Sequence, residues 1–129
     1  SALAGRDQGK FNVAIIGDGD FTMGPAAIWT AVHYKIPILI VLHNNTSFGN
    51  DEEHQITLAY RRGRPAENAW IGQRMVGPEP DYCTVARGYG AFAEEAVRDP
   101  KQLSGAFSRA VAAVENGQVA LVDVHTSLN

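Results

Sequence analysis

The sequence has one cysteine, Cys83, in 129 residues. A lone thiol closes no internal disulfide, and no Cys/His pair stands at zinc-ligand spacing. Cys83 reads as a small buried hydrophobe on a helix rather than as a reactive thiol. There is no run of about 20 apolar residues of the kind that spans a bilayer. A secretory leader pattern is also lacking. These absences make a reducing cytoplasm the natural compartment. Charge of one sign is scarce as well: 11 basic against 14 acidic residues leave a net charge of −3. Such a chain has no general attraction for nucleic acid, so an anionic ligand must be held locally, by backbone N–H groups or a metal. Internal repeats are absent. Arg61-Arg62-Gly63-Arg64 is a small basic cluster that a solvated loop explains. Contact with an acidic partner or a substrate carboxylate is the alternative.

What is present suffices for one domain. The apolar fraction of 45% supports a core, and residues 1–129 fit a single compact unit. Ser1 to Gly5 (SALAG) reads as the tail of a helix with Gly as its C-cap, and no initiator Met precedes it. The expectation is a fragment or subunit of a larger enzyme. Phe11 to Ile16 (FNVAII) predicts a buried strand, and Thr22 to Tyr34 an amphipathic helix carrying Ala27, Ile28, Ala31 and Val32 on one face. Pro37 stops it, and Ile38 to Leu42 predicts a second buried strand ending at Asn44-Asn45. Residues 46–80 have few periodic apolar positions and predict a long polar loop, of the functional kind. Phe48, Tyr60 and Trp70 within it suggest packing against something, inside this chain or beyond it.

Order returns with Asp81 as N-cap of a helix over Tyr82 to Tyr89, then a short strand over Ala91 to Val97. Asp99-Pro100 opens a helix through Leu103, Phe107, Ala110, Val111 and Val114 that stops at Gly117, and Val119 to Val124 is a last strand. Strands alternating with helices predict an α/β fold: a three-layer αβα domain with a mostly parallel sheet. Right-handed crossovers then place the strand C-termini along one edge.

Gly17-Asp18-Gly19-Asp20-Phe21 follows the first strand directly. Glycines let the backbone turn sharply and let a ligand approach. A helix start beyond them offers free N–H groups to an anion. Two aspartates in the same turn would repel a phosphate, so the motif asks for a divalent cation bridging Asp18 to a phosphorylated ligand. Asn44-Asn45 ends the next strand on the same sheet edge, where α/β ligands bind. An Asn oxygen is a hard ligand without further negative charge, and one carboxylate, one amide, one backbone carbonyl, two phosphate oxygens and a water make the octahedron Mg²⁺ prefers.

The segment GDGDFTMGPAAIWTAVHYKIPILIVLHNN resembles the GDG…NN cofactor motif of thiamine diphosphate enzymes. Asp18 and Asn45 lie 27 positions apart, as in the pyruvate decarboxylase and acetolactate synthase branch. The run Thr46-Ser47-Phe48-Gly49 and the tail DYCTVARGYG…VALVDVHT are similar to that branch too, closest to the C-terminal diphosphate-binding domain of acetolactate-synthase-like and benzoylformate-decarboxylase-like proteins. By position, the resemblance implies that Asp18 and Asn45 bind Mg²⁺ through side chains and Ser47 through its backbone oxygen. Gly17, Gly19, Asp20 and Phe21 would meet the diphosphate through the turn and helix start, with Asn45, Ser47, Phe48 and Gly49 beside it. Asn44 holds the turn instead of the metal.

The resemblance also implies what lies elsewhere. A pyrimidine-binding domain, of the same protein or of a partner subunit, brings the glutamate that activates the cofactor, and the assembly is a homodimer or tetramer. The substrate is a 2-oxo acid, decarboxylated or joined to an acceptor. No residue of this chain is expected to be catalytic: Glu52, Glu53 and His54 read as a mobile polar loop, His33 as a surface or packing residue, and His43 as pointing to the strand face opposite Asn44. Alone, the chain is expected to bind weakly, if at all, and not to turn over. A separate subunit of a split decarboxylase and an inactive cofactor-binding module are the alternatives. A magnesium phosphohydrolase with Asp18 as nucleophile is disfavoured by the tandem asparagines and the lack of a nearby phosphate-binding lysine.

Overall fold

The computed structural model describes residues 2–6 and 8–127, so Ser1 of the expected first helix lies outside the described residues. The elements run α1 (Ala2–Arg6), β1 (Val13–Gly17), α2 (Asp18–Met23), α3 (Ala27–His33), β2 (Ile38–Asn44), α4 (Gly49–Arg61), α5 (Tyr82–Gly88), β3 (Phe92–Ala93), α6 (Pro100–Glu115) and β4 (Val119–His125). Gly5 is inside α1, not at its cap. The four strands form one all-parallel sheet in the order β1-β2-β4-β3.

Helices cover both faces, which makes the three layers expected from the sequence. The continuous aliphatic run of β2 divides between two cores. Ile40 and Leu42 pack with Phe21 and Ile28 of α2 and α3, with Tyr82, Cys83 and Ala86 of α5, and with Val119 and Leu121 of β4. Leu39, on the other face, packs with Val97, Ala120, Val122 and the Ala106, Ala110, Ala113 and Val114 stripe of α6. Cys83 is buried on its helix as the sequence predicts, and burial pushes its thiol up to about 12.

Local signals set the ends of the later helices. Asp81 Oδ1 accepts from the Thr84 N–H at 2.8 Å to open α5, and Asp99 Oδ1 from Lys101 N–H at 2.9 Å to open α6, with Pro100 in the first turn. Gly117, at φ 85°, turns the chain out of α6 in the left-handed region.

Further expectations need correction. The strand predicted over Ala91 to Val97 is only Phe92–Ala93, with Val97 in an isolated bridge to Val124. The helix predicted over Thr22 to Tyr34 is two helices, because Gly24-Pro25 interrupts the ladder and Pro25 cannot donate to it. Residues 46–80 are not one irregular loop: α4 occupies Gly49–Arg61, and turns fill the remainder up to Asp81. The first strand starts at Val13 and is not buried on both faces. Val13 is 53% exposed and Ile15 75%.

Candidate functional site

The sheet edge at the strand C-termini gathers the ends of β1, β2 and β4. β1 runs into α2 without a connecting residue, so Asp18 sits at the exact junction of sheet and helix. It is 2% exposed. Its Oδ1 accepts from the Gly19 N–H at 3.0 Å, and Oδ2 is buried with no partner. Burying a carboxylate oxygen without a hydrogen bond or counter-charge is costly. A cation supplied from outside the chain removes that cost, so the residues present fit a metal.

Two consecutive side-chain turns build the adjacent wall. Asn44, 1% exposed, accepts from Thr46 N–H through Oδ1 at 3.1 Å, while its amide nitrogen donates to Asp123 Oδ2 at 3.3 Å and lies 3.0 Å from His125 Nε2. Asn44 therefore holds the turn, as the sequence implied. Asn45 Oδ1 accepts from Ser47 N–H at 3.0 Å. An amide oxygen has two lone pairs, so this bond leaves one available. Between them Thr46 takes φ 58°, which brings both turns into register.

The cleft in front of these groups has a volume of about 310 Å³ and is lined by Gly17, Asp18, Gly19, Asp20, His43, Asn45, Ser47, Phe48, Gly49, Asn50 and Asp51. That brings together every predicted site residue except Phe21. The Phe21 ring is turned into the core, edge-on to Tyr82 at a centroid distance of 5.3 Å. Its expected contact was through the helix start, and α2 spans only six residues, so its dipole is weaker than that of a full-length helix. A Cβ at position 19 would lie 2.6 Å from Phe48 Cδ1, so any larger residue there requires the Phe48 ring to move. His43 stands on the opposite strand face from Asn44, yet its register partner is Gly17 and it reaches the cleft rim, 3.3 Å from Thr126 Oγ1.

Sequence reasoning missed several members of this region. Glu52 does not belong to a mobile polar loop. It is 6% exposed on α4 and held by Arg74 Nε and Nη2 at 2.6 to 3.1 Å and by the Ser47 hydroxyl at 2.9 Å. The Arg74 guanidinium holds the Glu52 carboxyl below the usual carboxylate range. Asn50 and Asp51 join the cleft because α4 starts at its rim. Asp123 is 3% exposed, and burial pushes its carboxyl above the ordinary range. Tyr82, whose hydroxyl lies 3.1 Å from Thr22 Oγ1, is raised by burial in the same way. His33 is a surface residue, stacked on the half-exposed Trp29 at 4.8 Å. Among the described residues no cluster of three His, Cys, Asp or Glu side chains forms a metal site. The cleft offers polar groups of another kind, among them the Asp18 carboxylate and the Asn45 amide.

The family model for the C-terminal thiamine pyrophosphate-binding domain of thiamine pyrophosphate enzymes matches residues 2–124. The chain belongs to this family. Benzoylformate decarboxylase of Pseudomonas aeruginosa is 31% identical over 101 residues, which cover 78% of this chain and 17% of that protein. Acetolactate synthase isozyme 3 large subunit of Escherichia coli is 28% identical over 112 residues, or 87% of this chain and 18% of that protein. Among solved structures, a thiamine diphosphate-dependent 4-hydroxybenzoylformate decarboxylase of Rhodococcus jostii superposes with a TM-score of 0.76 at 29% identity, over 95% of this chain and 21% of that one. The thiamine diphosphate-binding domain thus spans less than a quarter of the length of these relatives.

Proposed function

We propose that this domain holds the metal–diphosphate half of a thiamine diphosphate site in an enzyme that decarboxylates 2-oxo acids or ligates their products in the manner of an acetolactate synthase. The observation that carries the reading is the buried, partnerless Oδ2 of Asp18, beside the Asn45 amide at the C-terminal edge of a parallel sheet. Asp18, Asn45 and the Ser47 backbone oxygen would hold Mg²⁺. Gly17, Gly19, Asp20 and Phe21 would present the turn and its N–H groups to the diphosphate, and Phe48 and Gly49 would wall it. Bound thiamine diphosphate supplies the electron sink for the carbanion left when a 2-oxo acid loses its carboxylate. On this reading the chain's own residues anchor and orient, and activation of the aminopyrimidine is left to another domain. That role falls to a pyrimidine-binding domain of the same protein or a partner subunit, in a homodimer or tetramer, which agrees with the fraction of the relatives this chain spans. Among the described residues no helix is long and apolar enough to cross a membrane.

Asp18→Ala tests the anchor. It should weaken Mg²⁺-dependent thiamine diphosphate binding by more than about tenfold, the scale at which even outer-shell partners of a metal count. Its melting temperature without ligand should move little, because losing the Gly19 N–H bond to Oδ1 is offset by removing a buried carboxylate oxygen that has no partner. Calorimetry and thermal unfolding read the two effects separately. Unchanged affinity rules the assignment out.

A further inference from the structure

Among the described residues α4 buries one side chain, and it is the charged Glu52. An apolar residue would anchor a helix at lower cost, since a buried ion pair gains little net stability over hydrophobic packing. What an ion pair adds is direction. Glu52 Oε2 accepts from the Ser47 hydroxyl at 2.9 Å, and Arg74 grips both carboxylate oxygens through Nε at 3.0 and 3.1 Å and Oε1 through Nη2 at 2.6 Å. Ser47 and Arg74 are also joined through the backbone. They face each other in an antiparallel bridge, flanked by Phe48 N–H to the Gln73 carbonyl at 2.9 Å and Met75 N–H to the Thr46 carbonyl at 2.8 Å. Ser47 is thus clamped from three directions: the Asn45 side chain on its N–H, Glu52 on its hydroxyl, and residues 73–75 along the chain.

We infer that Glu52 and Arg74 are positioning residues for the metal, acting through Ser47. This rests on the reading above, in which the Ser47 backbone oxygen is the third protein ligand. The pair leaves the Ser47 hydroxyl engaged away from the cleft and fixes the peptide that must face it. Arg74 also neutralises Glu52, so that this carboxylate does not compete with Asp18 for the cation. Ion affinity depends on the network more steeply than fold stability does, because a misdirected carbonyl loses a ligand while the helix and sheet remain.

The test uses the full chain, labelled for amide NMR, titrated with Mn²⁺ in the presence of thiamine diphosphate, with thermal melts in parallel. Paramagnetic broadening at Gly19 and Asn45 reports weak binding directly. Ser47→Ala, which keeps the backbone oxygen, and Glu52→Gln, which keeps the shape, should each raise the Mn²⁺ concentration for half broadening by about tenfold. Any fall in melting temperature should be too small to account for the loss of affinity, Ser47→Thr should restore affinity, and the double variant should be no worse than the weaker single one. Wild-type affinity in Ser47→Ala and Glu52→Gln, with loss in Asp18→Ala, overturns the inference and leaves the site assignment standing. Affinity that falls only in step with melting temperature overturns it too, since the network would then be a fold element alone. An Asp18→Ala chain that broadens like wild type overturns the site assignment and this inference with it.

Discussion

Asp123 lies on the same face of the sheet as Asn44, at the end of β4, with one oxygen on the Asn44 amide and the other buried without a partner. Burial is the main reason its carboxyl sits above the ordinary range, and the Asp18 charge adds to it, against the Asn44 hydrogen bond and the His125 and Arg98 charges. The unfolded carboxyl titrates near 3.9. From there upward the native state retains its proton longer than the unfolded state, so Asp123 contributes stability at low pH that is lost as pH rises through its native value. Asp123→Asn removes this loss. Its melting temperature relative to wild type should therefore be higher at pH 8 than at pH 4; the opposite order would mean that the carboxylate is stabilised in place. Asp18 and Asn45 were legible in the sequence because each belongs to a local turn at the end of an aliphatic strand. Asp123, Glu52 and Arg74 were not, because their environment is made by chain segments 79 and 22 residues away.

The same distinction between local and distant signals explains which elements could be read. α6 announces itself with an Asp cap, a proline in its first turn, an apolar stripe and a terminal glycine, and the structure follows each sign. α4 shares only the last of these, Gly63 at φ 62° just past its end. Phe48 gives it no side-chain cap, the one buried residue is Glu52, and Leu58 and Tyr60 are 45% and 74% exposed. A helix held by an ion pair shows no hydrophobic period to find. Pro25 was visible, but two short helices around it need the core contacts of Phe21 and Ile28 to be justified. The stretch 46–80 is thus tied down at its base, through Thr46–Met75, Phe48–Gln73 and Glu52–Arg74, with Trp70 and Ile71 exposed farther out. We read its outer part as the lid of the site. Trypsin cleavage after Arg61 and Arg62 at the end of α4 should slow when Mg²⁺, thiamine diphosphate and a 2-oxo acid are present together, and should not slow in Asp18→Ala. Equal cleavage with and without ligands removes the lid role.

At the scale of the molecule, alternation of strands and helices in the sequence was enough for the parallel sheet, the layers and the ligand edge. It overstated the burial of β1. A run such as Val13-Ala14-Ile15-Ile16 carries the pattern of a strand covered on both faces. In the sheet, Ala14 and Ile16 face α2 and α3, where they line an apolar groove with Phe21, Ile28 and Ile40. Val13 and Ile15 pair in register with Leu39 and Val41, on the face that α6 covers only farther along the sheet. β1 is also an edge strand in this four-stranded order. An aliphatic face left open this way is an unsatisfied surface, larger in consequence than a scattered exposed residue. Its energetic state in solution is measurable. Leu42, fully buried between β1 and β4, should lose about 2–5 kcal/mol on replacement by Ala. Ile15→Ser, at a position 75% exposed, should cost no more than about 0.5 kcal/mol in the same urea titration. A loss for Ile15→Ser approaching that of Leu42→Ala would show the face covered in solution, and only a loss that fades on dilution would assign the cover to a second copy of the chain.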